Sequence, residues 1–225
     1  MIDDFARALG QIGDRRFLGV LAKALLLTLL VFAAIYAGVG WLISLVGPFT
    51  LPWIGVVDPA LLLTGLAFGA LALASVFLMI PVAAICVGFF LEDVAAAVEA
   101  RHYPGLPAVT PQPILDQLSD ALRFFLVLVF ANLVGLILYV LAGPLAPLVF
   151  YGLNGFLLGR EYFQLVAMRR RGLKGARTLR RQHFLHIWLV GTLMAVPLTI
   201  PILNLLIPVL GVATFTHVFH RVNQP

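Results

Sequence analysis

The segment Gly13-Asp14-Arg15-Arg16-Phe17 combines the residue types that hold a tetraoxyanion in proteins. It places a flexible glycine and two adjacent guanidinium groups where a long apolar run begins. If that run is a helix, its first turn supplies free N–H groups and partial positive charge, and arginine adds fork-shaped hydrogen bonds. Because consecutive helical residues diverge by about 100°, both arginines reach one anion only if the helix begins near them. The residues alone leave a second interpretation open, in which Arg15 and Arg16 anchor the helix at a membrane surface.

Four further ionisable residues stand at the ends of apolar segments. Such groups either line the vestibule of a pore or simply mark the point where a segment leaves the membrane. Both interpretations stay open for this set, which consists of Glu92, Asp93, Arg160 and Glu161.

Residues for catalysis or for metal binding are scarce. His183 with His186, and His217 with His220, have a spacing that could hold a metal on a helix, but each pair lies at an expected membrane boundary without a third ligand. We interpret them as interfacial anchors. The sequence has no phosphate-binding loop and no nucleophile with a base beside it, so we expect neither enzymatic activity nor a cofactor.

The elements that carry these residues are apolar helices. Of the 225 residues 62% are hydrophobic and 11% are charged, which is too little polar surface to coat a soluble globule. Two apolar runs exceed the roughly 20 residues that one helix needs to cross a bilayer. We therefore predict an all-α integral membrane protein, a single membrane domain over residues 1–225, with long transmembrane helices at residues 17–46 and 60–90.

Two later apolar segments, residues 124–159 and 184–217, are interrupted. Gly143-Pro144 and Pro147 break the first, while Pro197, Pro201, Asn204 and Pro208 break the second. Several of the resulting arms are too short for a comfortable crossing. We predict two helical hairpins that enter the membrane only part of the way, and four ordinary short or tilted spans are the alternative.

Basic residues are concentrated between the two hairpins. Residues 160–181 hold eight of the 15 lysines and arginines, whereas the loop after the first long helix is nearly neutral. The positive-inside rule then places this segment and both termini on the cytoplasmic side of a bacterial-type inner membrane. Residues 1–16 form an amphipathic lead, with apolar residues at three- and four-residue spacing, that we expect to lie at the interface.

Three stretches of the chain carry a family resemblance. The first is residues 13–17, which are similar to a Gly-x-Arg-Arg-Phe motif, and the second is Ala176-Arg177-Thr178-Leu179-Arg180-Arg181. The third and most specific is Ile200-Pro201-Ile202-Leu203-Asn204-Leu205-Leu206-Ile207-Pro208-Val209, followed by Gly211-Val212-Ala213-Thr214. Together they resemble the CysZ family, bacterial inner-membrane proteins that let sulfate into the cytoplasm for cysteine synthesis, within the broader etoposide-induced-protein superfamily.

The resemblance implies a sulfate channel or permease that assembles as a homo-oligomer and binds sulfate at Gly13, Arg15 and Arg16. Its expected partners are sulfate and membrane lipids, with no nucleic acid. The chain departs from the family at Asp14, where an apolar residue is usual. A carboxylate beside a dianion is repulsive unless it turns away to cap the helix. The rival function is a non-transporting membrane scaffold or a lipid-interacting envelope protein.

Overall fold

A computed structural model describes residues 2–11, 13–46, 48–51, 53, 55–57, 59–109 and 112–223. Apart from one short strand pair, the regular secondary structure of this part of the chain is helical, so the expected all-α architecture is confirmed. The elements are α1 (Ile2–Gly10), α2 (Arg15–Ser44), β1 (Phe49–Leu51), β2 (Gly55–Val57), α3 (Ala60–Gly88), α4 (Leu91–His102), α5 (Ile114–Ala142), α6 (Ala146–Gln182), α7 (Phe184–Ala195) and α8 (Pro201–Val222).

The outward-facing surface of the helices is apolar. Within the described residues, Phe17–Ser44 and Ile114–Gln182 are long and apolar enough to cross a membrane. On α5 the residues Leu126, Phe130 and Ile137 are exposed, with Phe130 at 70%. An apolar surface of this extent is unfavourable in water and is typical of contact with lipid. The chain is therefore a membrane protein.

Residues Leu21–Phe89 form one of two compact units and contain most of α2 together with α3. At about 1.5 Å per residue, either helix exceeds the roughly 30 Å of a hydrocarbon core. Within this unit the Tyr36 hydroxyl lies 3.3 Å from the Ser75 hydroxyl, and the Tyr36 and Phe68 rings are 5.5 Å apart. The strands β1 and β2 pair antiparallel between the two helices.

The second unit comprises Met1–Val20 and Phe90–Pro225 and contains both helical hairpins. In the first hairpin α5 and α6 are joined by a tight turn at Gly143–Leu145. Gly143 has a φ of +52°, a conformation that glycine adopts without the strain a side chain would introduce. The hairpin thus turns at the Gly143-Pro144 break that the sequence indicates.

The basic residues 160–181 belong to this hairpin and are not a separate connection between hairpins. They form the second half of α6, which continues to Gln182. A kink at Gly172, with φ of +65° and ψ of 175°, divides the helix within the basic segment. Helix α6 is therefore much longer than the arm expected from the apolar pattern alone, because polar and basic residues extend it beyond residue 159.

In the second hairpin the turn lies at Pro197, the first of the four expected breaks. A short 3₁₀ turn at Val196–Thr199 joins α7 to α8, and α8 begins at Pro201. The helix then runs through Asn204 and Pro208, so the prediction that these two residues interrupt it is wrong. Proline is well tolerated in the first turn of a helix, and at an interior position it removes only one backbone hydrogen bond where neighbouring helices can compensate.

Glycines allow α6 and α7 to approach closely. A Cβ added at Gly191 would clash with the carbonyl oxygen of Gly155, and one at Gly159 would lie 2.7 Å from the carbonyl oxygen of Ile187. The Trp188 indole donates a 2.8 Å hydrogen bond to the carbonyl of Gly152 across the same interface. Small residues at a helix contact are the usual means of close packing in membranes.

Helices α4 and α8 pack on α6 and form the core of this unit. Phe163 of α6 is fully buried, with its ring 6.3 Å from that of Phe219 and 6.5 Å from that of Phe215. Helix α1 packs against α8, where Asp4 pairs with Arg221. The amphipathic lead is thus docked on the last helix through a buried carboxylate as well as apolar contacts.

Candidate functional site

The Gly13–Arg16 segment forms the sharp connection between α1 and α2. The amide of Asp14 donates to the carbonyl of Gln11 at 2.9 Å, and the carbonyl of Asp14 accepts from the amide of Leu18 at 2.9 Å. Helix α2 therefore begins at Arg15, with Asp14 at the N-cap position. Gly13 and Arg15 are exposed, and the backbone of Arg16 lies in the first turn. A helix start of this kind leaves backbone amides of its first turn without partners inside the helix.

The carboxylate of Asp14 is directed at α4. Its Oδ2 atom lies 2.8 Å from Nη1 of Arg101, an ion pair in which the Arg101 side chain is half exposed. The negative charge beside the expected anion site is thereby compensated. Gln11, next to this connection, is buried, and its amide nitrogen and oxygen have no hydrogen-bond partner among the described residues.

Three of the four expected vestibule residues line one cavity of about 370 Å³. Glu92, Arg160 and Glu161 meet there, while Asp93 is not among the residues that line it. The guanidinium of Arg160 lies 5.0 Å from the centre of the Phe124 ring, and its side chain is buried. The cavity is therefore lined by charges of both signs inside the bundle.

Asp120 of α5 is a cavity residue that the sequence analysis missed. It accepts from Arg177 at 3.1 Å and from the amide nitrogen of Gln164 at 3.4 Å. The residue-by-residue pairing of α5 with α6 in the hairpin could have predicted that Asp120 lies at the cavity. Once the turn is fixed at Gly143–Leu145, antiparallel helices bring residues near 120 and 124 beside residues near 164 and 160.

Glu99 is the centre of a buried charge cluster that was also missed. Its carboxylate accepts from Arg170 at 2.7 and 2.9 Å and from Arg169 at 3.3 Å, and it contacts Nε2 of His220 at 3.1 Å. Burial raises the pKa of this carboxyl, but the hydrogen bonds from His220 and Arg170 and the charge of Arg169 outweigh it and lower the pKa to about 2. Glu99 is therefore ionised and connects α4, α6 and α8.

The histidines of α8 belong to the same cluster. The Tyr103 ring stacks on His220 with centroids 4.1 Å apart, and its hydroxyl lies 2.9 Å from Nδ1 of His217. These side chains are buried in the protein, so the interpretation of this pair as interfacial anchors is wrong. His183 and His186 stay half-buried at the start of α7. Within the described residues, no group of three or more His, Cys, Asp or Glu side chains could hold a metal.

These features define an all-α membrane protein with two helical hairpins, an arginine-flanked helix start and a cavity lined by charged residues. The chain matches the family described as "Sulfate transporter CysZ/Etoposide-induced protein 2.4" over residues 4–208 and belongs to that family. No curated protein and no solved structure matches it. The family match includes the Gly13–Arg16 connection, the cavity and the α4 and α6 residues of the Glu99 cluster, and it ends before His217 and His220.

Proposed function

We propose that this protein conducts sulfate across a bacterial inner membrane and supplies sulfate assimilation and cysteine biosynthesis. The family match over residues 4–208 carries this proposal, because the family is described as a sulfate transporter family. The chain contains no phosphate-binding loop. Transport would therefore follow the electrochemical gradient of the anion or of a coupled ion, and no enzymatic step is expected.

Sulfate would bind at Gly13, Arg15 and Arg16. The start of α2 at Arg15 supports this assignment, because its free amides and the neighbouring guanidinium groups can donate to one tetraoxyanion. The pairing of Asp14 with Arg101 supports it as well, since the acidic residue is compensated by a cation on another helix. The unpartnered amide of buried Gln11, two residues before Gly13, is a further donor close to this site.

The cavity lined by Glu92, Arg160 and Glu161 would be a vestibule on the route of the anion, and Asp93, which follows Glu92 in the sequence, is the fourth residue proposed for it. The buried Arg160 would offer sulfate a positive charge, and the carboxylates would keep the anion from binding too tightly to leave. We expect both termini and residues 160–181 in the cytoplasm, hairpins that enter the bilayer only partly, and a homo-oligomer that completes the pathway.

The binding site is tested by titrating the full-length protein in detergent with sulfate at fixed low salt, by calorimetry. Changing both Arg15 and Arg16 to Ala should weaken binding by several kcal/mol at most, since each charge-assisted hydrogen bond contributes roughly 1.5 to 3 kcal/mol. Lys at both positions should recover only part of the loss, because an ammonium lacks the bidentate fork. Lys174→Ala, which removes an exposed charge elsewhere, is the control. Unchanged affinity in the double Ala variant would leave these arginines as topological anchors.

A further inference from the structure

A second cavity, of about 280 Å³, lies between the α5–α6 hairpin and the start of α7. Three arginines line it, Arg160, Arg180 and Arg181, and aromatic and aliphatic side chains form the rest of its wall, among them Phe156, Phe184 and Trp188. Arg160 also lines the first cavity, so one residue borders both cavities. The second cavity differs from the first in that no carboxylate is among its lining residues.

The positive charge of this cavity is offset only in part by neighbouring groups, because Asp120 and Glu161 interact electrostatically with Arg160, and Asp120 with Arg180, without forming ion pairs with them. In the described part of the chain, no ion pair joins Arg160, Arg180 or Arg181 to a carboxylate. Asp120, the nearby acid on α5, is bonded to Arg177 and Gln164, and Glu161 lines the first cavity instead. Three adjacent guanidinium groups in a half-enclosed pocket favour an anionic ligand.

The aromatic wall restricts the kind of anion that fits. The indole N–H of Trp188 is already donated to Gly152, so the ring offers the cavity only its apolar surface. Phe184 and the adjacent Leu185 are exposed by 50% and 60%, and they continue the apolar surface outward from the pocket. A small hydrated anion would leave this wall uncovered, whereas a molecule with a charged head and an apolar tail would cover both parts.

We propose that this pocket binds the phosphate headgroup of an anionic phospholipid. Arg180 and Arg181 hold the phosphate, and the glycerol and upper acyl chain lie on Phe184 and Trp188. Basic pockets between membrane helices are well suited to such headgroups, because charge attraction adds to apolar burial. The bound lipid also brings a negative charge close to Arg160, so it tunes the positive potential at the boundary of the first cavity.

The test measures lipid retention by the purified full-length protein with native mass spectrometry, using added phosphatidylglycerol or phosphatidylcholine. The wild type should retain phosphatidylglycerol in preference to phosphatidylcholine. Changing Arg180 and Arg181 to Gln should reduce that retention about tenfold or more, since each arginine near an anionic headgroup makes a separate contribution. Changing Arg171 and Lys174 to Gln removes the same charge from the same helix outside the pocket and should leave retention unchanged.

Two further measurements test lipid binding by this pocket. Arg181 is exposed, so Arg181→Gln alone should fold normally and still lose part of the retention. Inorganic phosphate at millimolar concentration should not displace the lipid, because it cannot cover the aromatic wall. Equal retention by the Arg180/Arg181 variant and by the Arg171/Lys174 control would overturn the proposal, and so would ready displacement by phosphate, which would indicate a site for free anions. Neither result depends on sulfate binding at Arg15 and Arg16.

Discussion

The Asp14 carboxylate of the α1–α2 connection lies 2.8 Å from the Arg101 guanidinium of α4. Asp14 occupies the variable position of the Gly-x-Arg-Arg-Phe motif, where the resemblance leads one to expect an apolar residue, and Arg101 compensates its charge. The pair also fixes the start of α2 against the helix that carries Glu99. An anion site at Arg15 and Arg16 is therefore compatible with an acidic residue inside the motif.

Removing Arg101 should expose sulfate to the charge of Asp14. We expect Arg101→Ala to weaken sulfate binding about fivefold, the effect of roughly 1 kcal/mol from a partly exposed pair. Adding Asp14→Asn to that variant should restore most of the affinity, because the repulsive charge is then gone. Calorimetric titrations of the three proteins at fixed low salt measure this, and an Arg101/Asp14 double variant as weak as Arg101→Ala would contradict the role of Asp14.

The contact of α6 with α7 should be intolerant of side chains at Gly191. Gly191→Ala places a methyl group against the Gly155 carbonyl, and overpacking of this kind costs about 1 to 3 kcal/mol. Gly152→Ala is the matched control, because its Cβ would lie 3.8 Å from the Trp188 ring, an ordinary contact. Thermal unfolding in detergent should show a lower midpoint for Gly191→Ala only. Equal midpoints would indicate that the helices are less closely packed.

Because of Glu99, the free energy of unfolding should depend on pH in the acidic range. Its pKa is about 2 in the folded protein against an ordinary value of 4.5, so its ionised form stabilises the fold above pH 4.5. That contribution is lost as the pH falls from 4.5 towards 2. Glu99→Gln should remove this dependence. At neutral pH it should also destabilise the fold by on the order of 3 kcal/mol, since Arg169 and Arg170 lose their shared carboxylate.

Thermal unfolding between pH 2 and pH 7 measures both effects of Glu99. Glu92→Gln removes an exposed carboxylate of the same helix and is the control. A Glu99→Gln variant that keeps the pH dependence of the wild type would show that another group is responsible.

The hairpin tips should not reach the periplasm. Single cysteines at Leu145 and at Thr199, introduced after Cys86→Ala, should resist a membrane-impermeant thiol reagent added from the periplasmic side, because both turns should lie within the bilayer. A cysteine in place of Lys174 should react only from the cytoplasmic side. Ready periplasmic labelling of both tips would establish full crossings, and periplasmic labelling at Lys174 would reverse the topology.

Apolar run length and glycine-proline breaks indicated part of this fold from the sequence. They indicated α2, α3 and the turn at Gly143–Leu145, because each depends on local sequence. They failed at Asn204 and Pro208, where packing against other helices keeps α8 continuous. Local sequence patterns could not predict the charge cluster around Glu99, because the partners of Glu99 lie 70 to 121 residues away along the chain.

Sulfate flux into liposomes tests the central claim most directly. Vesicles that contain the purified wild-type protein should accumulate radiolabelled sulfate down its gradient, well above vesicles without protein. Excess unlabelled sulfate should abolish this uptake, and excess phosphate or sulfite shows how selective the site is. The Arg15/Arg16 double Ala variant should lose most of the flux, and Lys174→Ala should keep it. Wild-type vesicles no more permeable to sulfate than protein-free vesicles would contradict the account and favour a membrane scaffold that does not transport.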